Sequence, residues 1–316
     1  MSVPTLDART FAQEIAEHLS RTPRQLPSKY FYDALGSALF DAICELPWYG
    51  VTRAESALLA RHAAAIVAPF GSPLSIAELG CGNGVKLEIV LQAGGEAVRR
   101  LHLVDISGAA LEAAATRVGG YAPDGLTVWE GTYESGLDQL ATERAPGHRV
   151  LCLFLGSNIG NFDPPAAQAL LTTIRASLRP GDGLLLGSDL VKPERELLLA
   201  YDDPLGVTAA FNRNLLRRIN DELGGTFDLD AFAHRAVWNG PMQRVEMHLV
   251  SRRRQTVRID AAGVDVPFQA DEPIWTESSY KYEPEAVIAN GLAAGFRESR
   301  QWIDPRARFA LTCFSV

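Results

Sequence analysis

The sequence predicts an α/β protein: a doubly wound, mostly parallel sheet with helices on both faces, interrupted by one inserted α+β segment. Two observations carry this prediction. From about residue 74, strand-sized apolar runs alternate with stretches of helical periodicity, the pattern of a parallel sheet covered on both sides. Between residues 190 and 282 the alternation lapses into two helical stretches followed by several strand-like ones, and it then resumes. With 316 residues, the length fits two domains or one enlarged domain at roughly 100–200 residues each.

The elements follow in order. Residues 7–19 place Phe11, Ile15 and Leu19 at helical spacing. A Pro-containing link at 22–27 precedes a helical stretch at 37–46. Another helix starts at Thr52, with Glu55 at the capping-box position, and runs to about Ala68. Strands are expected at 75–79, 100–105, 126–130, 149–155 and 184–189, with helices at 85–92, 108–118 and 164–178. The insertion reads as helices at 194–201 and 207–223, then strands at 233–239, 244–251, 256–260 and 264–268. A helix at 284–294 and strands at 295–304 and 308–316, joined by a tight turn at Pro305, close a seven-stranded sheet. The expected core is therefore 56–190 plus 283–316, and the expected second domain is 1–55 plus 191–282.

Composition narrows the function. The chain is 47% hydrophobic and 22% charged, with 30 Lys+Arg against 38 Asp+Glu and a net charge of −8, so it reads as an ordinary folded protein that needs no staple. The acidic balance argues against a nucleic-acid partner, which calls for a basic face. The run Arg252-Arg253-Arg254 reads as a solvated turn. Cys44, Cys81, Cys152 and Cys313 lack metal or redox spacing and are expected as free thiols. No basic segment precedes an apolar stretch at the start, and the apolar runs are strand-sized. A cytoplasmic protein with no membrane partner is expected, acting as a monomer and holding no metal.

The first sheet strand runs into Ala77-Glu78-Leu79-Gly80-Cys81-Gly82-Asn83-Gly84. Glycines at 80, 82 and 84 allow the backbone to turn and lie against a ligand. Asp105 closes the second strand, 21 residues beyond Gly84, where a carboxylate can take both ribose hydroxyls. Dinucleotide enzymes use G-x-G-x-x-G, whereas the spacing here is G-x-G-x-G with the acidic Glu78 just before it. A carboxylate suits a ligand bearing a cation, so S-adenosylmethionine, with its ammonium and sulfonium, fits best. A nicotinamide or flavin is the second choice, and a structural loop the third. The closing antiparallel strand pair also resembles class I methyltransferases, a Rossmann-like fold. In that fold the adenine lies against the turn after the third strand, here Thr132 and Tyr133. Tyr133 reads equally well as a core aromatic.

A longer set of segments resembles the histidine Nα-methyltransferases of ergothioneine biosynthesis, which form hercynine. These segments are Tyr30-Phe31-Tyr32-Asp33, Thr52-Arg53-Ala54-Glu55, Leu155-Gly156-Ser157-Asn158-Ile159-Gly160-Asn161, Gly187-Ser188-Asp189-Leu190-Val191-Lys192, Phe211-Asn212-Arg213-Asn214 and Thr276-Glu277-Ser278-Ser279. The resemblance implies roles. Tyr49, Asn161 and Tyr201 correspond to residues holding the amino acid's carboxylate and amine, Glu277 and Ser279 to the pair binding the imidazole, and Met247 to the wall of the ring pocket. Tyr32 lies near the ring. With Asn161, it is the candidate for moving the amine proton, directly or by relay. Gly80, Lys86 and Asp105 correspond to cofactor contacts, and the insertion corresponds to the substrate-binding domain.

Each residue also has a plainer reading. Tyr49 beside Trp48 could belong to an aromatic cluster, Glu277 could be a solvated strand residue, and Asp202-Asp203-Pro204 a simple turn. Asn161 stands out without the family, because it follows the fourth strand at the carboxyl end of the sheet, where ligands bind. Against the family pattern, Gly50-Val51 replace Tyr-Pro, and Ser157-Asn158 replace Gly-Thr. These positions border the amino-acid pocket and leave open another substrate, such as tryptophan or a derivative; Met247 and Glu277 favour histidine. A non-catalytic module that only binds S-adenosylmethionine is the distant alternative.

Overall fold

The computed structural model describes residues 8–316, so the expected helix start at Asp7 lies outside the described residues. Two compact units emerge, Met1–Tyr49 with Pro193–Ser279, and Gly50–Lys192 with Tyr280–Val316. The first division falls at 49/50, where 55/56 was expected. The reason is the helix Val51–Val67, whose buried face (Val51, Ala54, Glu55, Leu58, Leu59) runs unbroken through the expected boundary.

The larger unit is built on seven strands in the order Glu298–Asp304, Phe309–Ser315, Gly183–Asp189, Arg149–Phe154, Leu74–Leu79, Val98–Asp105, Leu126–Glu130. The pairs from Gly183–Asp189 to Leu126–Glu130 are parallel, and Phe309–Ser315 is antiparallel to both its neighbours. This is the class I methyltransferase arrangement. Strand Leu74–Leu79 is buried at all six positions, the polar Ser75 and Glu78 included, because helices cover both faces of the sheet there. From it the chain winds outward first on one side and then, from Arg149, on the other. The switch point lies between Leu74–Leu79 and Arg149–Phe154, and ligands bind outside the carboxyl ends of strands at such a point.

Local chemistry starts the helices. Ser107 Oγ accepts from Ala110 N, Thr132 Oγ1 from Ser135 N, and Asp163 Oδ1 from Ala166 N, each satisfying an N–H that the helix itself leaves free. The last of these is followed by Pro164 in the first turn. Helix Val51–Val67 is an exception. Its N-cap is Gly50, with no side-chain cap bond, so the capping box expected of Thr52 and Glu55 does not form.

The smaller unit has a four-stranded sheet in the order Arg24–Gln25, Pro273–Tyr280, Arg244–Ser251, Phe232–Asn239, and a hairpin of Gln255–Ile259 with Val264–Phe268. Arg24–Gln25 lies in the stretch expected as a mere link. It is defined by parallel pairing with Ile274 and Trp275, a long-range contact with no local signature. Helix Val207–Leu223 ends at Gly224 in the left-handed conformation. Its Phe211 stacks on Phe31 at 4.6 Å, and its Asn214 donates to Asp33 Oδ1 at 2.7 Å. The same Asp33 oxygen caps helix Ala34–Glu45 through Gly36 N. The Tyr-Phe-Tyr-Asp and Phe-Asn-Arg-Asn segments thus meet each other directly. The four cysteines are free, and among the described residues no helix is long and apolar enough to cross a membrane.

Candidate active site

In the larger unit, Gly80, Gly82 and Gly84 all have positive φ, at 76°, 52° and 77°, a region that L side chains rarely adopt. A Cβ on Gly80 would stand 2.8 Å from Asn158 Nδ2 and 3.3 Å from the Tyr133 hydroxyl. Asp105 fastens the loop. Its Oδ2 accepts from Gly82 N and its Oδ1 from Ser107 N, both at 3.0 Å. Burial raises the Asp105 carboxyl above its ordinary value, and these backbone N–H groups pull it back. Each oxygen keeps a lone pair for a further donor.

Glu78 is the more telling residue. It is buried, its Oε2 has no hydrogen-bond partner among the described residues, and burial pushes its carboxyl up to about 8. A buried unsatisfied oxygen is costly, and a cationic ligand such as the ammonium of S-adenosylmethionine would satisfy this one. The residues present therefore fit that cofactor.

Lys86, at the start of helix Val85–Gly94, places its Nζ 2.7 Å from Glu55 Oε2. Tyr133 packs edge-on against Phe154 at 5.1 Å and leans on Phe162, so its ring is part of the core while its hydroxyl reaches toward Gly80. The Thr132 hydroxyl is committed to its helix cap. Asn161 is exposed and ends the 3-10 turn Asn158–Asn161. The turn begins at Ser157, held at φ 58°, with its Oγ accepting from Asp189 N at 2.9 Å.

In the smaller unit, the expected substrate residues form a connected set. Tyr32 meets Phe40 edge-on at 5.7 Å, Phe40 meets Tyr49 at 6.3 Å, and Tyr49 meets Tyr201 at 6.4 Å. The Tyr201 hydroxyl then donates to Ser279 Oγ at 2.7 Å. Glu277 is half-buried and stands two residues before Ser279 on strand Pro273–Tyr280, a spacing that puts both on one side of it. Met247 is buried, and its carbonyl accepts from Thr276 Oγ1 at 3.0 Å. Trp275 and Tyr201 receive support that sequence reasoning did not assign. The Arg244 guanidinium lies 4.3 Å over the Trp275 ring. Asn212 Nδ2 donates to His234 Nδ1 at 2.9 Å, leaving His234 Nε2 to donate to the Tyr201 carbonyl at 2.8 Å. Burial lowers the His234 value below its ordinary one, which keeps the ring in the neutral form this relay needs.

Residues 11–316 match the family described as histidine-specific methyltransferase, SAM-dependent. The chain belongs to this family. A histidine N-alpha-methyltransferase from Mycolicibacterium smegmatis is 41% identical over 309 residues, covering 96% of this chain and 94% of that protein. One from Mycobacterium tuberculosis is 42% identical, covering 95% and 93%. Ergothioneine biosynthesis protein 1 of Neurospora crassa is 28% identical over 85% of this chain, and the match spans 32% of the fungal protein. As a histidine-specific methyltransferase, the chain is an S-adenosylmethionine-dependent N-methyltransferase. Among the described residues there is no cluster of three or more His, Cys, Asp or Glu suited to a metal.

Proposed function

We propose that the protein methylates the α-amine of free L-histidine to trimethylhistidine, the hercynine step of ergothioneine biosynthesis. The observation that carries this reading is the set Tyr49, Tyr201 and Ser279, linked by ring contact and a hydrogen bond, with Glu277 on the same strand. Hydroxyls can orient a zwitterion without adding charge, and a carboxylate accepts from an imidazole N–H whether the ring is neutral or protonated. In this reading Tyr49, Tyr201 and Asn161 hold the carboxylate and amine, Glu277 and Ser279 take the ring, and Met247 forms its wall. Glu78, Gly80, Gly82, Gly84, Lys86, Asp105, Thr132 and Tyr133 surround the cofactor, with Thr132 contributing backbone only.

When bound, S-adenosylmethionine supplies an electrophilic methyl group. The protein's own contribution is positioning, which can lower a barrier by roughly 7–11 kcal/mol. Asn161 directs the amine lone pair, and the proton the ammonium must lose before each transfer passes to bulk water, directly or by a relay in which the Tyr32 hydroxyl takes one proton as it hands on its own. The insertion is the substrate-binding domain, and the enzyme is a cytoplasmic monomer.

Mass spectrometry of the purified protein with S-adenosylmethionine and a panel of free amino acids tests this. Histidine should gain one, two and then three methyl groups. Methylation of tryptophan or another amino acid in its place would refute the assignment. Glu277→Ala should weaken histidine more than about tenfold, because a buried ring N–H loses its acceptor, and leave S-adenosylmethionine affinity alone. Equal loss for both ligands would count against the Glu277 role.

A further inference from the structure

We propose that Glu55 is a positioning residue. Its carboxylate holds the Lys86 ammonium for the cofactor and fixes the turn that leads to Asn161. This rests on the reading that Lys86 meets the cofactor.

Glu55 lies in the second turn of helix Val51–Val67 and is 0% exposed. Its Oε2 stands 2.7 Å from Lys86 Nζ, and both its oxygens stand 2.9 Å from Gly156 N. Its Oε1 occupies the space over strand Gly183–Asp189 where a Cβ on Gly187 would be, 2.0 Å from that position. One carboxylate therefore ties together the first turn of a helix, the turn after strand Arg149–Phe154, and a strand position where no side chain fits. Gly156, with φ 75°, leads directly into Ser157 and the turn ending at Asn161.

A purely structural role would not require a charge. Buried ion pairs contribute little net stability, and apolar packing of the same volume usually does as well. What the pair provides is direction. A lysine on a flexible stem would otherwise sample many rotamers; bound to Glu55, its ammonium is confined beside Gly156, where a Cβ would stand 3.1 Å from it. The Lys86 side chain remains 24% exposed, so an anionic group such as the cofactor's carboxylate can approach it.

The test measures binding of S-adenosylmethionine and S-adenosylhomocysteine by calorimetry, with melting temperatures, for Glu55→Gln, Lys86→Met and the double variant. Glutamine keeps an oxygen for Gly156 N but turns a donor toward Lys86. Cofactor affinity should fall about tenfold in each single variant, and no further in the double variant, because the two residues act as one unit. Lys86→Met alone should melt lower, since it leaves Glu55 buried without its cation, and adding Glu55→Gln should recover the loss. The KM for the amino acid should stay within about twofold in Glu55→Gln, because the turn keeps its anchor. Native cofactor affinity in Glu55→Gln with a loss in Lys86→Met, or losses that add in the double variant, would overturn the inference and leave the reading of Lys86 intact. Native affinity in Lys86→Met would remove that reading, and the inference with it.

Discussion

Replacing Glu78 with glutamine removes a charge while keeping the shape of a side chain that is 1% exposed. Its carboxyl is pushed up to about 8, chiefly by burial, against the pull of Lys86 and with help from Glu55 and Asp105. Moving a carboxyl from its ordinary 4.5 to about 8 costs the ligand-free protein on the order of 5 kcal/mol, at about 1.4 kcal/mol per pH unit. Because the folded-state value is the higher one, this cost is absent below about pH 4.5 and grows to its full size as the pH rises to about 8. Glutamine cannot ionise. The advantage of Glu78→Gln should therefore grow from about pH 5 to about pH 8 and level off above, reaching on the order of 10 °C in melting temperature. Cofactor binding should move the other way. The native protein must release a proton to receive a cation at Glu78, so its affinity should rise up to about tenfold per pH unit toward pH 8. The variant should bind weakly and without that slope. Scanning calorimetry without ligand and titration calorimetry with S-adenosylmethionine, both over pH 5–9, read the two effects. Parallel melting curves, or undiminished cofactor affinity in the variant, would refute the reasoning.

Other outcomes follow from the same geometry. Tyr201→Phe removes the donor to Ser279 Oγ and should raise the KM for the amino acid about five- to tenfold, near 1 kcal/mol, with cofactor affinity unchanged by calorimetry. His102 is buried with neither ring nitrogen hydrogen-bonded among the described residues, and burial, reinforced by Arg100, lowers its ring to about 4. With the folded value below the unfolded one, stability falls as the pH drops from about 6.5 to about 4. His102→Leu should flatten that acid limb and raise the neutral melting temperature by a few degrees, about 1 kcal/mol; an unchanged limb would point to another group.

Much of this was legible in the sequence, for physical reasons. Helices Glu194–Tyr201 and Val207–Leu223 and strand Arg244–Ser251 announce themselves because burial on one side imposes a period. Glu78 could be singled out because a carboxylate beside a glycine loop suits a cationic ligand and not a pyrophosphate. Glu55 shows where local pattern fails. Its spacing from Thr52 matches a capping box, but an ammonium at 2.7 Å and a backbone N–H at 2.9 Å outweigh one helix N–H. His234 carried no signal, and Asn212 stood out only as part of the Phe211–Asn214 segment, because their effect on Tyr201 depends on strands and helices far apart in the chain. Ser157 adopts a left-handed backbone where the family usually has glycine; its hydroxyl bond to Asp189 N offsets a strain of about 1–2 kcal/mol.

The position of Phe309–Ser315 in the sheet has a bearing on synthesis. This strand covers the edge of Gly183–Asp189, whose seven residues are all buried in the finished protein. A ribosome adding roughly 5–20 residues per second reaches the covering strand about 6–25 s after completing the strand it protects. Throughout that interval the nascent chain presents an unpaired apolar edge, the kind that recruits other chains. A chain stalled or cleaved anywhere in the last stretch would keep that edge open, so the yield of soluble protein should depend on how quickly translation finishes.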